Sequence, residues 1–514
     1  MLVTKRSSVI AISTSAMLAY LLLHLTMLSY LRHTLDFSYY DNANVEESHK
    51  QSKFLHITDL HVDPFYITGS KINTACHQQE KKSKNPDKGA GPLGDRACDA
   101  PVGLAMATLN WIKDHHEDEI DFVVWTGDSA RHDSDSSLRR TKEEIYDVNK
   151  NMSLLMYNTF SQSSSASKKA IPIIPTFGNN DIYPHNILYG GSKGKRVFEK
   201  FLDIWKPFIP KDQTETFLTG GYFAVDVVPN HLKVISLNTM YFYNSNAAVD
   251  SCSKRSSPGH QQLKWLRDRL RQAKKEETKV ILIGHVPPIP KAYYSSCYRQ
   301  YSKLALKYDD VISGHLYGHL NMDHFLILGD GDTTKRDNDE AAVLADDDII
   351  SVKRNIPKYL KALRDSYRSV NYVNDGKAHH AVINISPSVI PEMNPTFRIF
   401  RYEADEKAST FGDLMGYTQW FTNLTHWNTH QPTLQGGKEV LSSMKGHKDN
   451  NNDDNAIVPY LEYEVEYDTL KDYKMEDLST DSWLSLARDL GGEGHTSEEL
   501  WNNYTYRMFV QSKD

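Results

Sequence analysis

"KFLHITDLHV" (Lys53 to Val62) sets the reading of the whole chain. Its Phe, Leu and Ile run has the composition of a short buried strand, and it ends in Asp-x-His, at Asp59 and His61. The same event recurs downstream. "DFVVWTGDSA" delivers Asp128 and, four residues on, His132. "AIPIIPTFGNND" delivers Asn179 and Asn180, "KVILIGHVPP" His285, and "DDVISGHLYGH" His319, two residues before Asn321. Ligands at the C-terminal ends of strands converge in one cleft. Carboxylate, imidazole and amide oxygen suit two divalent cations about 3.5–4 Å apart that share one carboxylate.

Between the apolar runs lie amphipathic stretches, "GLAMATLNWIKDHH" and "GHQQLKWLRDRLRQAKK"; in the second, Leu263, Leu266 and Leu270 share one helical face. "GYFAVDVV" followed by "HLKVISLNT" predicts an antiparallel pair. The class is α/β with mixed sheets. His315 competes with His319 for the ligand role, and the Asn-Met-Asp-His-Phe that follows His319 favours the latter.

The 514 residues carry a formal charge of -7, which gives no general basic surface and no expectation of nucleic-acid binding. Twenty-two histidines make that balance depend on pH, with many charged below about pH 6. Val9 to Tyr30 holds 22 residues without Asp, Glu, Lys or Arg, enough to cross a hydrocarbon core of roughly 30 Å. A cleaved signal peptide is the rival reading, although its apolar core is usually about 7–15 residues. The expected organisation is a cytosolic tail over 1–8, a type II signal-anchor helix over 9–31 and a lumenal stalk over 32–50. A catalytic domain follows over 51–405, with an acidic surface insertion at 329–354, and then a C-terminal tail region over 406–514. Cys76, Cys98, Cys252 and Cys297 suit two disulfides in an oxidising lumen. Sequence alone allows three pairings; the local one, Cys76–Cys98 with Cys252–Cys297, is expected. Sequons at Asn151, Asn384, Asn423 and Asn503 fit a lumenal chain.

The ordered series DxH, GDxxxH, GNND, GH and GHxN resembles the calcineurin-like metallophosphoesterases, and within them the acid sphingomyelinase-like branch. "SPSVIPEMNPTFRIF" and "PGHQQLKWLRDRL" support that branch. The anchor together with "GNNDIYPHN" and "YGHLNMDHF" is similar to the fungal vacuolar endopolyphosphatases. The resemblance implies a four-layer αββα sandwich and two divalent ions, with Mn, Mg, Co, Zn and Fe all open. One ion would be held by Asp59, His61, Asp128 and Asn321, the other by Asp128, Asn179, His285 and His319. His132 would assist the leaving oxygen, and Asn180 would occupy the place where many relatives have a second acid-side His. The reaction implied is internal hydrolysis of inorganic polyphosphate by a metal-bridging hydroxide, at a vacuolar membrane with the catalytic domain lumenal. A lipid or nucleotide phosphodiesterase and an inactive metal-binding scaffold are the alternatives. Candidate cationic or polar substrate contacts are Arg131, His185, the "GGSKGKR" loop (Lys193, Lys195, Arg196) and Arg299.

Overall fold

A computed structural model describes residues 51–78, 89–161, 170–329, 355–370, 379–430 and 459–512. The expected anchor, the stalk and residues 330–354 of the acidic insertion lie outside the described residues, as does the "KGHKDNNNDDN" stretch. No helix among the described residues is long and apolar enough to cross a membrane.

Among the described residues, twelve strands make two six-stranded sheets. They are β1 (Gln51–Ile57), β2 (Ile120–Trp125), β3 (Ile173–Pro175), β4 (Phe223–Val228), β5 (Leu232–Ser236), β6 (Lys279–Ile283), β7 (Ile312–Tyr317), β8 (His324–Gly329), β9 (His380–Ile385), β10 (Thr396–Glu403), β11 (Leu414–Phe421) and β12 (Glu464–Asp468). The first sheet runs β12-β11-β10-β1-β2-β3 and the second β8-β9-β7-β6-β5-β4. Both are mixed: β1, β2 and β3 are parallel neighbours, as are β5, β6, β7 and β9, while antiparallel strands complete each sheet. The expected antiparallel pair is β4 with β5.

The apolar runs become strands because their side chains interlock across neighbours. Phe54 stacks on Phe122 at 4.6 Å and on Phe400 at 5.0 Å, tying β1 to both adjacent strands. Burial of each such ring contributes about 1.5–3 kcal/mol. Helices cover the outer faces. On the first sheet, Trp111 of α1 (Val102–His116) packs against Phe397 and Trp420. On that side α2 (Lys142–Phe160) also contacts β3. A third helix, α3 (Gly191–Ile204), buries Phe198 and Phe201 beside Phe177. On the second sheet, α4 (Pro258–Lys275) contacts β6 and buries Leu263, Leu266 and Leu270. Ser257 caps α4 and Pro258 opens it, where a missing N–H costs nothing. Then α5 (Ser295–Lys307) lies against β8 and β9.

The region after residue 405 supplies β11 and β12 to the first sheet, so it continues the same sandwich. Further helices α6 (Ile356–Arg368), α7 (Thr480–Gly491) and α8 (His495–Met508) pack together. Asp323 N–H donates to Met508 O, and the Asp323 carboxylate accepts from Arg398. The end of the chain is thereby fastened to the loop that carries Asn321. Of the three cysteine pairings, the local one is present: Cys76–Cys98 and Cys252–Cys297. One sequon needs correction. Asn384 is 4% exposed near the C-terminal end of β9, paired with Phe325 on one side and Leu316 on the other, so a folded chain cannot present it for modification. Asn423 and Asn503 are exposed and Asn151 is half-buried.

Candidate metal centre

Asp59 and His61 follow β1, Asp128 follows β2, Asn179 follows β3, His285 follows β6 and His319 follows β7. All sit at the C-terminal ends of parallel strands, and loop-to-loop bonds hold them in register. Asp59 N–H donates to Gly127 O and His61 N–H to Asp128 O, each at 3.0 Å. A Cβ on Gly178 would lie 2.0 Å from Asp128 Oδ1, and one on Gly318 would lie 2.3 Å from Asp59 Oδ2. Only glycine lets the backbone approach the carboxylates this closely.

The backbone here is strained. Asp59, His61, Asp128, His319 and Asn321 all have left-handed φ, between 40° and 72°. Such conformations cost of order 1–3 kcal/mol each at non-glycine residues and persist where the surroundings fix them, typically at functional sites.

Two sets of donors share one carboxylate. Asp59, His61 and Asp128 form one, and Asp128, His285 and His319 the other. His61 Nε2 is 3.5 Å from Asp59 Oδ1 and 3.4 Å from Asp128 Oδ2, while His285 Nε2 lies 3.2 Å from the same Asp128 oxygen. Asn179 Oδ1 is 2.9 Å from His285 Nε2, and His319 Nδ1 is 3.2 Å from that nitrogen. His285 Nδ1 donates to Thr126 O at 2.8 Å, which turns Nε2 toward the centre.

This donor set fits a pair of divalent cations. Asp59 Oδ1 and Asn321 Oδ1 are buried and have no hydrogen-bond donor among the described residues. A buried oxygen left that way costs about 1–3 kcal/mol, a debt that a coordinated cation removes. The charges agree. Burial works against the Asp128 anion, yet His285 and His61 hold its carboxyl well below the usual range. Against the same burial, Asp128 and Asp59 hold His285 up at about 9. Metal identity is open because N and O donors of this kind accept several divalent ions.

Several expected residues play other parts. Asn180 is turned onto the shared carboxylate. Its N–H donates to Asp128 Oδ1 at 2.7 Å and its Nδ2 to Oδ2 at 2.8 Å. Arg131 is corrected outright. It is 1% exposed, and its Nε donates to Glu144 Oε1 at 2.7 Å, so it braces the loop and reaches no substrate. His185 is exposed, but its Nε2 lies 3.1 Å from Asn179 Nδ2. Desolvation, then the Arg140 charge, pull its pKa down to about 4. A neutral His185 accepts from Asn179 and aims the Asn179 Oδ1 at the centre. The "GGSKGKR" segment is the first turns of α3 rather than a loop. Lys193 sits over the Tyr189 ring, Lys195 lies 3.7 Å from Glu199, and Arg196 and, on α5, Arg299 are exposed. His315 is buried against Tyr301 OH at 2.8 Å, away from the donor sets that take His319.

Sequence reasoning missed three groups. Asp99 accepts from His132 Nδ1 at 2.6 Å and from His132 N–H at 3.1 Å. The His132 ring stacks on His61 at 4.1 Å, and its side chain is 31% exposed. Asp181 accepts from the backbone N–H of Asp128, Ser129 and Gly178, pinning two ligand loops together. Arg140 Nη1 donates to Arg131 O and Asn180 O at 2.7 and 2.8 Å. Asp181 and Arg140 stand beside the motifs in sequence, whereas Asp99 has no such signal.

Two mixed sheets whose strand ends feed a shared-carboxylate donor pair define a metal-dependent phosphoesterase, and the chain belongs to the calcineurin-like phosphoesterase family, which matches residues 52–321. Within that family it is similar to several proteins named endopolyphosphatase. That of Cryptococcus neoformans is 36% identical over 73% of this chain and 62% of the relative. That of Schizosaccharomyces pombe is 33% identical over 76% and 67%, and that of Saccharomyces cerevisiae 29% over 91% and 86%. The chain thus spans less than two thirds of the Cryptococcus relative's length.

Proposed function

We propose that the protein hydrolyses internal phosphoanhydride bonds of inorganic polyphosphate, yielding shorter chains. The observation that carries this is the sharing of Asp128 by two donor sets at strained strand ends. Asp59, His61, Asp128 and Asn321 would hold one divalent ion; Asp128, Asn179, His285 and His319 would hold the other. When bound, the two ions neutralise phosphate charge and make water acidic enough to act as a nucleophile near neutral pH. The chain's own groups do the rest. Asn180 fixes both oxygens of Asp128, and His185 fixes the amide of Asn179. Burial opposes the charge on His132, but Asp99 and then Asp128 raise its pKa from the ordinary imidazole value, which favours the ring form able to pass an Nε2 proton to the departing oxygen. A phosphate leaving from an anhydride needs less of that help than an alkyl alcohol does, which suits a site with one such imidazole. The names of the relatives point the same way.

The same reading places the chain in a vacuolar membrane as a type II protein, anchored by residues 9–31, glycosylated and with its catalytic domain lumenal. The apolar N-terminal run, two disulfides and the exposed sequons support it. Metal-reconstituted protein offered long-chain polyphosphate, a phosphodiester and sphingomyelin in parallel tests the substrate. Polyphosphate is expected to be the fastest. A diester turned over faster would favour a phosphodiesterase, and no turnover of any substrate by wild type would favour a metal-binding scaffold.

A further inference from the structure

Arg140 is 4% exposed and has no carboxylate within ion-pair distance among the described residues, although it lies at the rim of the metal centre. Its Nη1 is spent on two carbonyl oxygens, those of Arg131 and Asn180. Its Nε is buried with no acceptor, and its Nη2 donates to no described group. A buried guanidinium left unpaired is costly, and two backbone carbonyls do not cancel its charge. The position is specific. Asn180, whose carbonyl Arg140 holds, donates through its own amide to the shared Asp128. His132 and His185 both lie close enough to feel the Arg140 charge. Asp133 Oδ1 accepts the Arg140 backbone N–H at 3.2 Å, and neither Asp133 nor Asp128 reaches the guanidinium itself, although both act on its charge.

The structure assigns to Arg140 an anion subsite beside the two-cation centre, taking the phosphate group next to the one under attack. The subsite deepens the polyphosphate reading and rests on it. With Nη1 committed and Nε buried, Nη2 is the donor left for a phosphate oxygen, with the fixed guanidinium charge behind it. Arg131, nine residues earlier in the sequence but locked to Glu144, cannot do this. A diester with one phosphate leaves the subsite unused, whereas an anhydride chain always has a second phosphate to fill it. Arg140 is therefore a specificity determinant between the two substrate classes.

The test uses metal-loaded full-length protein and a non-hydrolysable diphosphate, methylene bisphosphonate, with orthophosphate as the single-phosphate control. Calorimetry on wild type should show the diphosphate binding more tightly. Arg140→Gln should weaken it about 10- to 100-fold, the worth of one charged hydrogen-bond pair, and should weaken orthophosphate far less. The ratio of tripolyphosphate to diester kcat/KM should fall by a similar factor. Arg140→Lys, which keeps the charge, should recover part of both, and thermal melting of each variant reports folding. Equal losses for diphosphate and orthophosphate, or an unchanged ratio in a folded Arg140→Gln protein, would overturn the subsite alone. A wild type that neither prefers the diphosphate nor cuts polyphosphate would overturn the polyphosphate reading and the subsite with it.

Discussion

His132 Nδ1 lies 2.6 Å from Asp99 Oδ1, and the same carboxylate accepts the His132 backbone N–H. The carboxylate fixes the ring's orientation and tautomer, leaving Nε2 toward the cleft. Asp99→Asn should lower kcat/KM on polyphosphate about 10- to 100-fold, the usual loss for such a partner. Because Asp99 raises the His132 pKa, activity that needs the protonated ring is present below that pKa and lost above it. The alkaline limb of the pH profile should move to lower pH in Asp99→Asn. An unmoved limb would remove His132 from proton transfer.

Asp128 is the one carboxylate common to both donor sets. Asp128→Asn removes the shared charge, so metal content measured by mass spectrometry should fall from two ions per chain. Activity should drop by several kcal/mol of transition-state stabilisation, at least about 10³-fold. Two tightly held ions in that variant would contradict the sharing.

Asn321 has a left-handed φ of 55° and is 2% exposed, with its Oδ1 lacking any donor among the described residues. Asn321→Leu keeps the approximate volume and deletes the oxygen. Chelator competition should show at least about a tenfold loss in affinity for one ion, and Asn321→His should keep two. Equal affinities in wild type and Asn321→Leu would exclude Asn321 as a ligand.

His77 bridges Asp63 at 2.7 Å and Asp135 at 2.8 Å, next to the Cys76–Cys98 disulfide. The hydrogen bond to Asp63, then that to Asp135, raise its pKa above 6.5. A raised folded-state pKa means the clamp stabilises fully below 6.5 and fades as pH rises through the folded value. Ser137 first, and His77 after it, hold Asp135 below the ordinary carboxylate range, so its share fades only in strong acid. His77→Gln should therefore lower Tm by a few °C, roughly, near pH 5.5 and by less near pH 9. The same loss at both values would mean the imidazole acts without charge.

Most of the candidate donor set was legible because each donor stands at a fixed step beyond an apolar run, and a parallel strand has one place to end. Asp99 was not legible. It lies 33 residues before His132, and the short pairing of Val62–Asp63 with Ala100–Pro101 is what carries it to the ring. Arg131 looked like a substrate contact through its place inside GDxxxH, but Glu144 on α2 claims it; Arg140, held by two backbone carbonyls, has no carboxylate at ion-pair distance among the described residues. Strands β11 and β12 were hidden in an aromatic-rich tail because residues 431–458 separate two pieces of one sheet edge. The Asn384 sequon failed for the converse reason: three matching residues say nothing of a neighbour strand on each side.

The central claim is that this centre cuts polyphosphate chains internally. Product lengths followed over time on long-chain polyphosphate, with the metal-loaded protein, test it most directly. Mid-length chains should accumulate early, before orthophosphate rises. Steady release of orthophosphate from chains that stay long would contradict it.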